Sequence, residues 1–154
     1  MSAQTKMEEN TSIPLDFDPK ILCIACNWCT YVGADLAGTS RIQYPTNVRI
    51  LRVMCTGRVH PTFVLKAFKM GVDGVLISGC HYGDCHYQVG NKKAERRVLL
   101  LQNVLKELGI EPERLRFETI SASEGIKFAD VVTQMVDEIK KLGPNPVTSV
   151  GEGG

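Results

Sequence analysis

The chain has 154 residues, 44% hydrophobic and 23% charged, and its 18 Lys+Arg against 17 Asp+Glu leave a formal net charge of +1. That suits one folded domain rather than two, excludes a nucleic-acid binder held by bulk charge, and offers no apolar run near the roughly 18–20 residues that span a bilayer. Met1 to Asp18 is polar and acidic rather than a secretory signal, so a cytoplasmic location is expected.

Residues 1–18 have little to bury and read as a mobile tail; residues 19–142 form a single block, and the Gly/Pro-rich residues 143–154 read as a second tail. Within the block, Ile21 to Ala25 is a short strand. Tyr31 to Arg41 follows as a helix whose Gly33, Ala34, Ala37 and Gly38 permit close packing. Val48 to Met54 is a second strand. Pro61 suits a helix start, Val64, Leu65 and Phe68 give that helix an apolar face, and Gly71 stops it. Gly74 to Ser78 carries the continuous apolar run of a buried parallel strand.

Ala94, Val98, Leu101, Leu105 and Leu108 recur at helical spacing, and Gly109 ends the pattern. Leu115, Phe117 and Thr119 alternate with Arg116, Glu118 and Ile120 in a fourth strand. Ser121 and Glu124 have capping-box spacing ahead of a last helical face, Phe128, Val131, Val132, Met135, Ile139 and Leu142. Strand and helix alternate four times. The fold class expected is α/β: a small Rossmann/flavodoxin-like three-layer sandwich with a four-stranded parallel sheet.

Six cysteines are unusual in a chain expected to meet a reducing cytosol, where thiols bind metal or do redox chemistry. Cys23 lies inside the first strand, where packing suits it. Cys26 and Cys29 follow that strand, Cys55 the second, and Cys80 and Cys85 the third. In a parallel sheet these strand ends share one edge, so five thiols should gather where open α/β sheets place their sites. Four thiolates would suit zinc or a 2Fe–2S cluster. Cys26-Asn-Trp-Cys29 alone has the spacing of a redox dithiol, but leaves Cys55, Cys80 and Cys85 unexplained.

His81 and His86 each follow a cysteine and either serve as ligands or, the better-suited role, tune the site from outside the ligand set by hydrogen bonds to sulfur or to a partner; His60 sits at a helix start. Trp28 and Tyr31 either shield the bound group or simply pack. No phosphate-cradling glycine motif and no Ser-His-Asp set is present. Residues Arg41 to Arg97 carry ten Lys/Arg against three Asp/Glu. The densest part, with Lys92, Lys93, Arg96 and Arg97, is either a solvated helix start or a docking face for an acidic partner.

The stretches Ala25-Cys-Asn-Trp-Cys-Thr-Tyr-Val-Gly-Ala-Asp-Leu-Ala-Gly-Thr-Ser-Arg41, Val48 to Arg58, Gly79-Cys-His-Tyr-Gly-Asp-Cys-His-Tyr87 and Gly90 to Arg97 resemble the delta subunit of methyl-viologen-reducing hydrogenase. The likeness covers nearly all of Pro19 to Leu142. It implies a 2Fe–2S electron carrier, a non-catalytic relay in an oxidoreductase complex of methanogenesis. Its partners would be the large and small subunits of a nickel-iron hydrogenase and the electron-bifurcating flavin subunit of heterodisulfide reductase; related delta subunits serve formate dehydrogenase. The family's thiols map to Cys26, Cys29, Cys55, Cys80 and Cys85, of which a 2Fe–2S cluster takes four. Cys23 lies outside the family pattern, and Tyr82 stands where the family has Pro. A zinc-binding or dithiol protein without electron-transfer partners is the alternative.

Overall fold

The computed structural model describes residues 16–147; most of the N-terminal tail and the last seven residues of the C-terminal one lie outside the described residues. Four strands, β1 (Ile21–Cys26), β2 (Val48–Val53), β3 (Gly74–Gly79) and β4 (Leu115–Thr119), alternate with four helices, α1 (Thr30–Thr39), α2 (Pro61–Lys69), α3 (Gly90–Glu107) and α4 (Gly125–Leu142). Short 3-10 turns at Thr56–Arg58 and Pro112–Arg114 precede α2 and β4. The sheet order is β2-β1-β3-β4 and every neighbouring pair is parallel. The three-layer α/β architecture expected from the sequence is the one observed. None of the described helices is long and apolar enough to cross a membrane.

Side chains alternate across the sheet, so each strand feeds two cores. Ile21, Cys23, Ala25 and Leu76 join Ala34, Ala37, Phe128, Val132 and Met135 under α1 and α4. Ile24, Val75, Ile77 and Leu115 join Val64, Phe68, Val98, Leu101 and Leu105 under α2 and α3. β3 is central and buried at every position, which explains its unbroken apolar run.

The chain passes from β1 outward to β2, then back across β1 to β3. The direction of winding therefore reverses between the adjacent strands β1 and β3, and a crevice opens there beyond their carboxyl ends. Register keeps the strand ends level: Cys26 pairs with Val53 and Ala25 with Ser78.

Helix ends follow local chemistry. His60 caps α2, its Nδ1 accepting from the Thr62 N–H at 3.2 Å, and Pro61 fills the first helical position. α1 stops at Thr39 rather than Arg41. Arg41 takes a positive φ of 55° while the Ile42 N–H reaches back to the Ala37 carbonyl at 2.9 Å, closing a Schellman turn without glycine. The close packing foreseen for α1 rests on Gly33, where a Cβ would stand 2.9 Å from the Ser121 carbonyl oxygen; at Gly38 it would meet nothing within 4 Å.

The capping-box spacing at Ser121 is only half used. The Ser121 N–H donates to Glu124 Oε1 at 2.9 Å, but the Ser121 hydroxyl turns to Ser123 and α4 begins three residues later than a Ser121 cap would place it. Glu124 itself takes the N-cap position of α4, and the same carboxylate oxygen also contacts His81.

Residues 143–147, assigned to the C-terminal tail by composition, dock on the domain. The Asn145 side-chain amide donates to the Phe68 and Val72 carbonyls at 2.9 and 2.8 Å, and its backbone N–H donates to Asp73 at 3.0 Å. Arg114, wholly buried, donates to the carbonyls of Asp73, Gly143 and Pro144 and to Glu111. Such anchors stabilise only while every buried polar group keeps a partner. Asn145→Ala strips donors from two carbonyls and should cost about 2 kcal/mol, read as a lower thermal midpoint; an unchanged midpoint would show that the docked segment contributes nothing.

Candidate metal centre

Cys26, which ends β1 rather than following it, and Cys29, Cys55, Cys80 and Cys85, which follow the strands, form one buried cluster at the carboxyl edge of the sheet. Cys23 is excluded by the pleat. It lies three residues before Cys26 and so points to the opposite face, fully buried under α1 and α4. Burial there pushes its thiol up to about 12.

The five divide three and two. The sulfurs of Cys26, Cys29 and Cys80 all lie within 4.8 Å of one another, with Cys26 and Cys80 at 3.8 Å. Cys55 and Cys85 form the second group, 4.0 Å apart. Two thiolates bound to one tetrahedral metal at about 2.3 Å stand roughly 3.8 Å apart, so both pairs have the spacing of ligands sharing an ion.

The loops bearing the thiols are held from several sides. At Gly90, the first residue of α3, a Cβ would stand 2.2 Å from the Cys55 sulfur and 3.5 Å from that of Cys85. At Gly57 it would stand 2.9 Å from Gly90 Cα, and at Gly79 it would stand 2.9 Å from the Thr56 hydroxyl. The loop after β2, the end of β3 and the start of α3 thus meet through missing side chains. Asn91, also buried, donates to the Cys80 and His81 carbonyls at 2.9 and 3.1 Å, tying α3 to the third cysteine loop. Beneath the cluster, the buried hydroxyls of Thr30 and Ser78 bond at 2.9 Å.

The electrostatics are those of crowded thiols. The hydrogen bond from Cys29, with further N–H and thiol donors, outweighs burial and draws the Cys26 thiol down to about 6. The same contact pushes Cys29 up, and burial adds to it. Burial, helped by Cys26, outweighs the hydrogen bond with Cys29 and pushes Cys80 up to about 11; burial also leads in raising Cys55. At Cys85 burial acts upward but is outweighed by the backbone N–H groups of Asn91, Tyr87 and Gly90, so the net shift is down. Each group therefore has one readily ionised thiol beside reluctant ones, whose protons a bound metal would displace.

The rim differs from the sequence reading. His81 pairs with Glu124 rather than with sulfur, and with the Ser121 N–H it draws that carboxyl down to about 2. The His86 ring stacks on Trp28, centroids 4.0 Å apart, joining the first and third cysteine loops over exposed surface. Tyr31 carries the Arg52 guanidinium over its ring at 4.9 Å. Arg97, grouped with the docking cations in the sequence, is engaged in structure: it donates to the Gly57 and Val59 carbonyls. Gly57, Gly90 and Asn91 stand in stretches the sequence already marks, but their roles there are not visible in it, because a helix start and a glycine announce no chemistry of their own.

The donor set is all sulfur, buried and without an oxygen or nitrogen ligand among the described residues, a set that selects zinc or iron–sulfur groups over hard cations. The cradle that a Gly90 Cβ would fill fits such a group. Gly90→Ala should leave a folded chain that no longer brings Cys55 to the other sulfurs, seen as loss of at least half of the bound metal with unchanged far-ultraviolet circular dichroism. Full metal content in that variant would show that the close approach is dispensable.

The family described as methyl-viologen-reducing hydrogenase, delta subunit, matches residues 21–143. An iron-sulfur subunit of F420-non-reducing hydrogenase from Archaeoglobus profundus is 57% identical over 129 residues, covering 84% of this chain and 94% of that protein. The vhc iron-sulfur subunit of F420-non-reducing hydrogenase from Methanococcus voltae is 58% identical, covering 84% and 90%. A ferredoxin:CoB-CoM heterodisulfide reductase subunit from Methanosarcina mazei is 48% identical over 126 residues, which are 82% of this chain but 16% of that larger protein.

Proposed function

The chain belongs to the methyl-viologen-reducing hydrogenase delta-subunit family, and we propose that it is the iron–sulfur relay of a cytoplasmic oxidoreductase complex. In this reading it holds a 2Fe–2S cluster and passes electrons from a nickel-iron hydrogenase, or a formate dehydrogenase, to the flavin subunit of heterodisulfide reductase. The observation that carries it is the division of five buried thiols into two groups, each with a pair at ligand spacing. An all-thiolate zinc site takes four thiolates in one group, and the larger group offers three; a two-iron cluster takes two pairs, one from each group.

Cys26 and Cys80 would hold one iron and Cys55 and Cys85 the other. Cys29, whose sulfur rests 3.7 Å from the Thr30 hydroxyl, would be the fifth thiol beside the first pair. When bound, the cluster supplies reversible one-electron transfer. The chain's own residues exclude water from the sulfurs, fix the loops and present the site at the surface. Trp28 and His86 cover one side as a stacked pair.

The partnership with the reductase is supported by the Methanosarcina mazei protein, in which the homologous stretch lies within a larger chain named for heterodisulfide reductase. Joining two modules in one chain raises their effective concentration, which is useful when they work together. A dithiol reading is favoured by the lowered Cys26 thiol alone, and it leaves three clustered thiols without a role.

Protein purified without oxygen should contain about two iron and two acid-labile sulfide per chain and give an electron paramagnetic resonance signal on reduction. Cys55→Ser or Cys80→Ser should remove the cluster or shift its spectrum, whereas Cys23→Ser and Cys29→Ser should retain it. Stoichiometric zinc without sulfide would rule the relay out in favour of the alternative.

A further inference from the structure

An open groove of about 440 Å³, with Cys55 in its lining, lies at one side of the thiol cluster. Met54, Tyr87 and Val89 wall it, each about half exposed, so apolar surface is left to water. Arg58 and Lys93 stand on its rim, both exposed and neither hydrogen-bonded nor ion-paired through its side chain among the described residues. No carboxylate of the described residues lines it. Four cations elsewhere are engaged by contrast: Arg97 and Lys127 on backbone carbonyls, Arg114 on Glu111 and carbonyls, and Arg116 on Glu118.

We propose that this groove docks an acidic segment of a partner protein. An apolar side chain of that segment would sit among Met54, Tyr87 and Val89, and its carboxylates would face Arg58 and Lys93. The proposal rests on the relay reading and adds the approach route. Gly57 and Gly90 line the groove without side chains, so a seated segment would lie directly against the Cys55 and Cys85 end of the cluster. A free small anion fits less well. Both cations ride on exposed side chains, and the Gly57 N–H is already directed to the Cys55 sulfur at 3.4 Å, which leaves no backbone cradle for a phosphate. Partner recognition through such rim charges acts mainly on the rate of encounter and fades as salt shortens its reach to about 8 Å at 0.15 M.

The test is carbodiimide cross-linking, which joins amines to carboxylates with no spacer, on the complex of the full chain with its hydrogenase and reductase subunits. Mass spectrometry should find Lys93 joined to an Asp or Glu of one of those subunits. Its yield should fall about fivefold or more in Arg58→Glu, and likewise in wild type at about 0.5 M sodium chloride. Lys93 left unjoined while Lys92 or Lys66 is joined would overturn the proposal. So would Lys93 joined to a second copy of this chain, a yield indifferent to Arg58→Glu, or loss of the link to inorganic phosphate but not to chloride of equal ionic strength. Iron, labile sulfide and bleaching by dithionite are measured on the same samples. A chain lacking iron and sulfide refutes the relay, whereas a loaded, reducible chain without the Lys93 link refutes only the docking.

Discussion

The centre depends on three parallel strands ending level with one another. β1, β2 and β3 finish side by side, and the winding reverses between β1 and β3, so the loops that leave them cannot avoid a common crevice. Cys26 and Cys85 are 59 residues apart in sequence yet share one buried cluster. What the loops must supply is proximity, and they do so by omitting side chains at Gly57, Gly79 and Gly90. Those points tolerate little change: a single methyl group at Gly90 would occupy the space of the Cys55 sulfur.

The same geometry explains the division of labour among six identical side chains. The pleat sends Cys23 into the core under α1 and α4, where burial keeps it protonated and inert. Cys26, the last residue of β1, faces the other side of the sheet, and beyond the strand ends the other four turn in beside it on loops rich in N–H donors. Crowding then makes neighbours unequal, with Cys26 lowered and Cys29 raised by one shared contact. A chain without metal would hold these thiols in unfavourable company, and a bound metal or cluster removes the conflict by replacing their protons.

Much of this was legible in the sequence. All eight regular elements announce themselves, the strands by short apolar runs and the helices by spacing of three and four, because each buries one face against the sheet. The gathering of five thiols followed once the strands were parallel. Their division into groups did not, since it depends on how three loops fold over one another. Nor did the roles of Arg97, Arg114 and Asn145: a charged or polar residue bonded to distant carbonyls looks like any solvated one until its partners are placed. Ser121 and Glu124 misled for a related reason: the Ser121 hydroxyl turns to Ser123, and Glu124 itself stands at the start of α4.

Iron-edge X-ray absorption on the full chain, purified without oxygen and free of other iron proteins, addresses the central claim most directly. If two cysteine pairs hold a two-iron cluster, each iron is surrounded by sulfur alone and has one iron neighbour at short range. An iron with nitrogen or oxygen ligands, or with no metal neighbour, would contradict the account.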